Sequence, residues 1–211
     1  MNYKLLEKEL KKRLEIPYVW NRKQNDLFDK QTNFIYKINS FDKVLKHVES
    51  DFKTHSNYTE LKNYALNRWF NFWSAKAVES LFCEHQSIEP HINYKDKFID
   101  FYIQNIPFDH KTTVFPNGFG KSVPYAFQHK RELIEWLYEN QSQQQRKHLK
   151  NRIFVVLVNY QEENQHWKLK AELLWLKEII SNYLAEFNNQ KLEKFNFQHE
   201  LVKSDVIWAV K

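Results

Sequence analysis

Residues 153–158 read Ile-Phe-Val-Val-Leu-Val, an unbroken apolar run that constrains the fold more than any other stretch of the chain. The run is far shorter than the roughly 18 residues needed to cross a bilayer, and it has the length of a strand buried on both faces. Such a strand belongs inside a sheet that carries helices above and below it.

The helices are legible on either side. Tyr3, Leu6, Leu10 and Leu14 recur at helical spacing until Ile16-Pro17 ends the pattern. Residues 58–85 give the strongest helical signal, broken by neither Gly nor Pro. Residues 41–48, 125–144 and 166–187 read as further helices, with 125–144 amphipathic. Strand signals appear at 33–38 (NFIYKI), across 92–104 by alternation, at 108–114 after a turn at Asn105-Ile106-Pro107, and at 206–210. The order helix, two or three strands, helix, strand, helix, strand describes a mixed central sheet flanked by helices, of α/β or α+β class. With 211 residues a single domain is expected, residues 1–57 forming an N-terminal extension on a core of 58–211.

A net charge of +6 and a pI near 9.1 favour polyanionic partners. Between Lys121 and Arg152 stand seven Lys or Arg (Lys121, Lys130, Arg131, Arg146, Lys147, Lys150 and Arg152) against three acids, Glu132, Glu135 and Glu139. That excess makes Lys121, Lys130, Arg146, Lys147 and Lys150 candidate DNA-phosphate contacts. Gly118 and Gly120 give the loop at 116–124 its freedom to turn. Cys83 is the sole cysteine, so no internal disulfide can form, and the start MNYKLLEKELKKRL is too charged for a signal peptide. A cytoplasmic location and no membrane role are expected. The nine histidines form no zinc-type cluster, and neither a Walker loop nor a dinucleotide fingerprint occurs. Cys83, on an apolar helical stripe, reads as a core filler rather than a nucleophile.

The chemistry-bearing residues lie on the first hairpin. Acid-x-Lys triplets occur at Glu9-Leu10-Lys11, Asp51-Phe52-Lys53, Glu60-Leu61-Lys62 and Asp109-His110-Lys111. The first three sit in charged or polar stretches and read as solvated surface; the fourth sits on a strand. A two-residue loop at Asn105-Ile106 would pair Gln104 with Pro107, set Asp100 opposite Lys111 and Tyr102 opposite Asp109, and bring all four to one side of the ribbon. Glu79 shares a helical stripe with Phe72, Ala75, Phe82 and Cys83, where a carboxylate needs a cation, a metal or a hydrogen bond. Glu84, at the helix end, is the competing acid.

These residues resemble the PD-(D/E)xK nuclease superfamily, the restriction-endonuclease-like fold, whose core runs helix, three strands, helix, strand; the likeness covers residues 58–210. It implies a Mg2+ site, with Mn2+ as substitute, held by Asp100 and Asp109, with Lys111 assisting the attacking water. It further implies Glu79 as an acid from the preceding helix and the main-chain carbonyl of His110 as a metal-facing oxygen. Ile99 stands where the family carries Pro. Hard oxygen ligands suit Mg2+, and phosphodiester hydrolysis needs a dication at the scissile phosphate. Beside two carboxylates Lys111 is expected to stay charged, which favours orientation and transition-state stabilisation over a general-base role. The implied activity is a DNA endonuclease, restriction-type or defence-related. The alternative is an inactive protein of this fold that binds DNA or serves in assembly. Cutting both strands with one site per chain would call for a symmetric homodimer.

Overall fold

The apolar run lies within β4 (Arg152–Val158), buried along its whole length, in a computed structural model that describes residues 1–20, 27–93, 96, 98–140, 149–162, 164–197 and 200–211. β4 pairs in parallel with β3 (Ile106–Val114) on one side and β6 (Glu200–Val210) on the other. With β1 (Ile88–Pro90), β2 (Phe101–Ile103) and β5 (Glu193–Phe197) they form one six-stranded sheet, ordered β1-β2-β3-β4-β6-β5. The β1-β2-β3 pairs are antiparallel, as is β5 on β6. Parallel pairing is thus confined to the buried middle, where apolar strands need cover on both faces.

The parallel register sets Asp109 beside Arg152, Lys111 beside Phe154 and Thr113 beside Val156, on one face of the sheet. α5 (Val123–Gln128) and α6 (Lys130–Asn140) cover that face: Ala126, Leu133, Ile134, Leu137 and Tyr138 pack with Phe154, Val156, Val158 and Val206. The opposite face carries His110, whose ring lies 5.7 Å from that of Phe82 near the end of α4 (Tyr58–Cys83). From α7 (Leu173–Ala185), the Tyr183 hydroxyl donates to Asp205 of β6 at 3.0 Å.

The chain divides into two compact units, residues 1–77 with 170–174 and residues 78–169 with 175–211. The division falls inside α4, where the sequence suggested a boundary at 57/58. Within the first unit are α1 (Tyr3–Lys12), α2 (Leu27–Gln31), α3 (Phe41–Phe52) and most of α4, which is buried all round at residues 64–70. The strand expected at 33–38 is instead a 3-10 turn, Asn33–Tyr36. Its carbonyls are claimed from α4: Trp73 Nε1 donates to Ile35 O at 3.0 Å and Trp69 Nε1 to Ile38 O at 2.7 Å.

Other boundaries also moved. The helix expected at 125–144 is broken at His129, whose backbone (φ −122°, ψ 47°) leaves the helical region, so α5 and α6 are separate; residues 141–144 lie outside the described residues. The expected helix at 166–187 opens with a 3-10 turn, His166–Ala171, ahead of α7. The expected last strand, 206–210, is the second half of β6, and β5 had no expectation at all. The expected strand at 92–104 narrows to β2.

The hairpin register corrects the sequence reading. The turn residues are Gln104 and Asn105, both with positive φ (50° and 63°), the backbone sign that a tight two-residue turn requires. The ladder therefore runs Ile103↔Ile106, Tyr102↔Pro107 and Phe101↔Phe108, two residues away from the expected pairing. Lys111 does not stand opposite Asp100. The ladder partner of Phe108 is Phe101, yet Phe108 O accepts the amide of Asp100 at 2.9 Å. Two residues thus face one, a bulge that ends β2 and re-aims the Asp100 side chain.

Candidate active site

The bulge turns the Asp100 carboxylate into the seam that β2 vacates beside β3. Its Oδ2 accepts two hydrogen bonds from one residue, the His110 amide at 2.8 Å and His110 Nδ1 at 2.6 Å. Asp109 N donates toward β4, to Asn151 O at 3.0 Å. The amide and carbonyl of His110 consequently point the other way, into the seam that Asp100 occupies. The His110 side chain is 7% exposed and lies against the rings of Phe82 and Phe101.

Asp109 faces the α5/α6 side, where Arg152 Nε and Nη2 reach its Oδ2 at 2.6 and 2.5 Å. The two carboxyls act on each other's ionisation, and their environments drive them apart. Burial pushes the Asp100 carboxyl up, but the His110 hydrogen bonds and charge outweigh it and hold the group below the usual range. Burial also pushes Asp109 up, and with Asp100 adding to it the Arg152 charge does not offset the rise. Asp100 is thus shifted toward ionisation and Asp109 away from it. For His110, burial opposes the charged form, yet Asp100, Asp109 and Glu79 raise it above its ordinary value.

Lys111 shares the face of Asp109, and the balance there runs against the expected favouring of its charge. Burial and then the Arg152 charge lower its ammonium more than Asp109 raises it. No hydrogen bond or ion pair to its Nζ occurs among the described residues. Glu79 acts on His110 and Cys83 by charge. The stripe that pointed to it is less apolar in its surroundings than expected, since Ala75 is exposed and Phe72 half-buried. Glu84 is exposed and 3.6 Å from Lys177 Nζ.

The thiol of Cys83 is pushed up to about 11, by burial first and then by Glu79 and Asp100. Against an ordinary value of 9.0, this leaves about a hundredfold less thiolate at neutral pH. Native protein at pH 8 should therefore react with a disulfide reagent roughly a hundredfold more slowly than protein unfolded in urea. Equal rates in the two states would contradict this placement of the thiol.

The candidate DNA contacts are scattered in their circumstances. Lys121 is exposed, its Nζ 5.5 Å from the centre of the Tyr125 ring. Lys130 is engaged by Asp205 at 2.7 Å and Glu193 at 3.7 Å, so its charge is neutralised within the fold. Lys150 pairs with Glu200 at 2.8 Å on the surface. Arg146 and Lys147 lie outside the described residues.

Two site groups escaped the sequence reading, the His110 side chain and Arg152. The isolated triplet gives only the carbonyl a role, and the parallel register that brings Arg152 to Asp109 has no local signal. Tyr102 hydrogen-bonds His91 Nδ1 at 3.1 Å, with His91 Nε2 3.4 Å from Asp96. No group of three or more His, Cys, Asp or Glu suited to a metal occurs among the described residues. No family model, curated protein or solved structure matches the chain.

Proposed function

We propose that this chain is a Mg2+-dependent endonuclease that hydrolyses DNA phosphodiester bonds at Asp100, Asp109 and Lys111. What carries the proposal is a strand bulge that sets the Asp100 carboxylate on His110, the residue between Asp109 and Lys111 on β3. Each carboxylate meets its protein donors through one oxygen, Oδ2, which leaves an Oδ1 on each. Two such oxygens fit Mg2+, which commonly takes one or two carboxylates and completes its shell with water and substrate phosphate. When bound there, Mg2+ supplies neutralisation of the scissile phosphate and a more acidic attacking water.

The protein's own groups do the rest. His110 holds Asp100 ionised and fixed through two hydrogen bonds, leaving its other oxygen for a ligand. Lys111, on the face of Asp109, can orient the attacking water and stabilise the charge that develops in the transition state. DNA as substrate is supported by the +6 net charge and the exposed Lys121.

One observation favours a second reading. Asp100 with His110, and Asp109 with Arg152, are already neutralised as ion pairs, an arrangement a non-hydrolysing DNA-binding protein could use purely for stability. Incubation of the purified chain with supercoiled plasmid separates the two. A nuclease gives nicked or linear products with Mg2+ or Mn2+ and none with EDTA, and end mapping then gives the cleavage position. Tight DNA binding without cleavage at any concentration of either metal would leave the second reading standing.

A further inference from the structure

We propose that Arg152 is a phosphate-binding residue held in reserve on Asp109, so that a phosphodiester and a divalent cation bind this site cooperatively. The identity of both ligands rests on the nuclease reading above. Arg152 opens β4 and is only 9% exposed. Its Nε and Nη2 both converge on a single oxygen, Oδ2 of Asp109. Its Nη1 has no hydrogen-bond partner among the described residues.

The guanidinium is held against a rigid wall. It lies 5.5 Å from the centre of the Tyr138 ring and 5.7 Å from that of Phe154, and Tyr138 is itself fixed by donating to Lys150 O at 2.8 Å. A guanidinium so enclosed needs an anion, because a buried charge that loses its partner is strongly destabilising. In the resting protein that anion is Asp109. A dication drawn to Asp109 competes with Arg152 for the same oxygen, and taking it leaves the arginine uncompensated. A phosphodiester relieves this, since its oxygens match the fork of the guanidinium and the anion arrives at the same face.

Lys111 strengthens the case. It shares that face, and Arg152 is one of the charges that destabilise its ammonium. Once Asp109 is neutralised, two cations face one space with no carboxylate between them. Linkage then requires reciprocity: phosphate binding that draws Arg152 away frees Asp109 for the cation, and cation binding frees Arg152 for phosphate.

The test is a double-mutant cycle on the full chain, read as affinity for a fluorescently labelled DNA duplex by anisotropy in EDTA. Asp109→Asn releases Arg152 and should tighten duplex binding by about fivefold or more, the lower end of typical site-to-site coupling. In an Arg152→Gln background the same change should gain nothing. An equal gain in both backgrounds would mean that only a negative charge had been removed, and would overturn the proposal; so would no gain in either. Should Arg152→Gln fail to fold, judged by near-UV circular dichroism, wild-type protein carries the test with Ca2+ as the probe. Saturating duplex should then tighten Ca2+ binding at least about fivefold, and an unchanged Ca2+ affinity would overturn the proposal. Failure to cleave with Mg2+ sinks the nuclease reading alone, because the cycle is read without metal on intact DNA.

Discussion

In Mg2+, Asp109→Asn and Lys111→Ala are each expected to lower plasmid cleavage by at least about a hundredfold, the scale of losing one group that acts on the developing charge of a transition state. Duplex binding should weaken in neither. Asn preserves the shape of Asp109 but offers a neutral oxygen in place of a carboxylate, which a hard dication binds poorly. It leaves Arg152 without its carboxylate partner but still against the Tyr138 and Phe154 rings, so folding of the variant is checked by near-UV circular dichroism. Lys111→Ala removes a group with no hydrogen bond or ion pair to its Nζ among the described residues, so little in the resting structure depends on it. Its loss should appear in kcat rather than in affinity, as for a group that acts on water and transition state rather than on bound duplex. Equal metal-dependent cleavage by wild type and Asp109→Asn would mean a contaminating nuclease and would end the proposal.

How far the sequence carried depends on whether each signal was local. The buried strand, the long helix and the strand-borne triplet were legible because an apolar run or a 3.6-residue period needs no knowledge of its neighbours. The hairpin register was not. The sequence pattern points to a turn at Asn105-Ile106, whereas Gln104 and Asn105 adopt the positive φ. Asp109 and Lys111, two apart on one strand, share a face in any register, but Lys111 loses its place opposite Asp100. Bulges have no dependable sequence mark, and it is the bulge at Asp100 that delivers its carboxylate to His110. Arg152 was visible only as one of seven basic residues, because the parallel alignment of β3 with β4 is set by packing across the sheet. The strand expected at 33–38 failed for a related reason: two tryptophans of α4 took carbonyls that a ladder would have needed.

The pairing of Asp100 with His110 predicts the largest loss of stability at this site. His110→Ala strands a carboxylate that is a quarter exposed, deprives it of the shorter of its two hydrogen bonds, and opens a cavity beside Phe82 and Phe101. Breaking one side of a buried pair costs about 3–5 kcal/mol, and at about 2–4 °C per kcal/mol for a chain of this size the melting temperature should fall by roughly 10 °C. The effect should depend on pH with a definite sign. His110 is raised in the folded protein, so its contribution is complete below its ordinary value of 6.5 and fades as pH rises through the folded value. Asp100 is lowered, so its contribution is complete above 3.8 and fades as pH falls through the folded value. The gap between wild type and His110→Ala should therefore be widest from about pH 4 to 6.5 and narrow on either side. Asp100→Asn added to His110→Ala should cost little more, because the charge that the first change stranded is then gone. Thermal melts followed by circular dichroism across that range decide the matter. Superimposable melts of wild type and His110→Ala between pH 4 and 6.5 would show that the two residues are not an ion pair, and the fixed, ionised Asp100 on which metal binding depends would go with it.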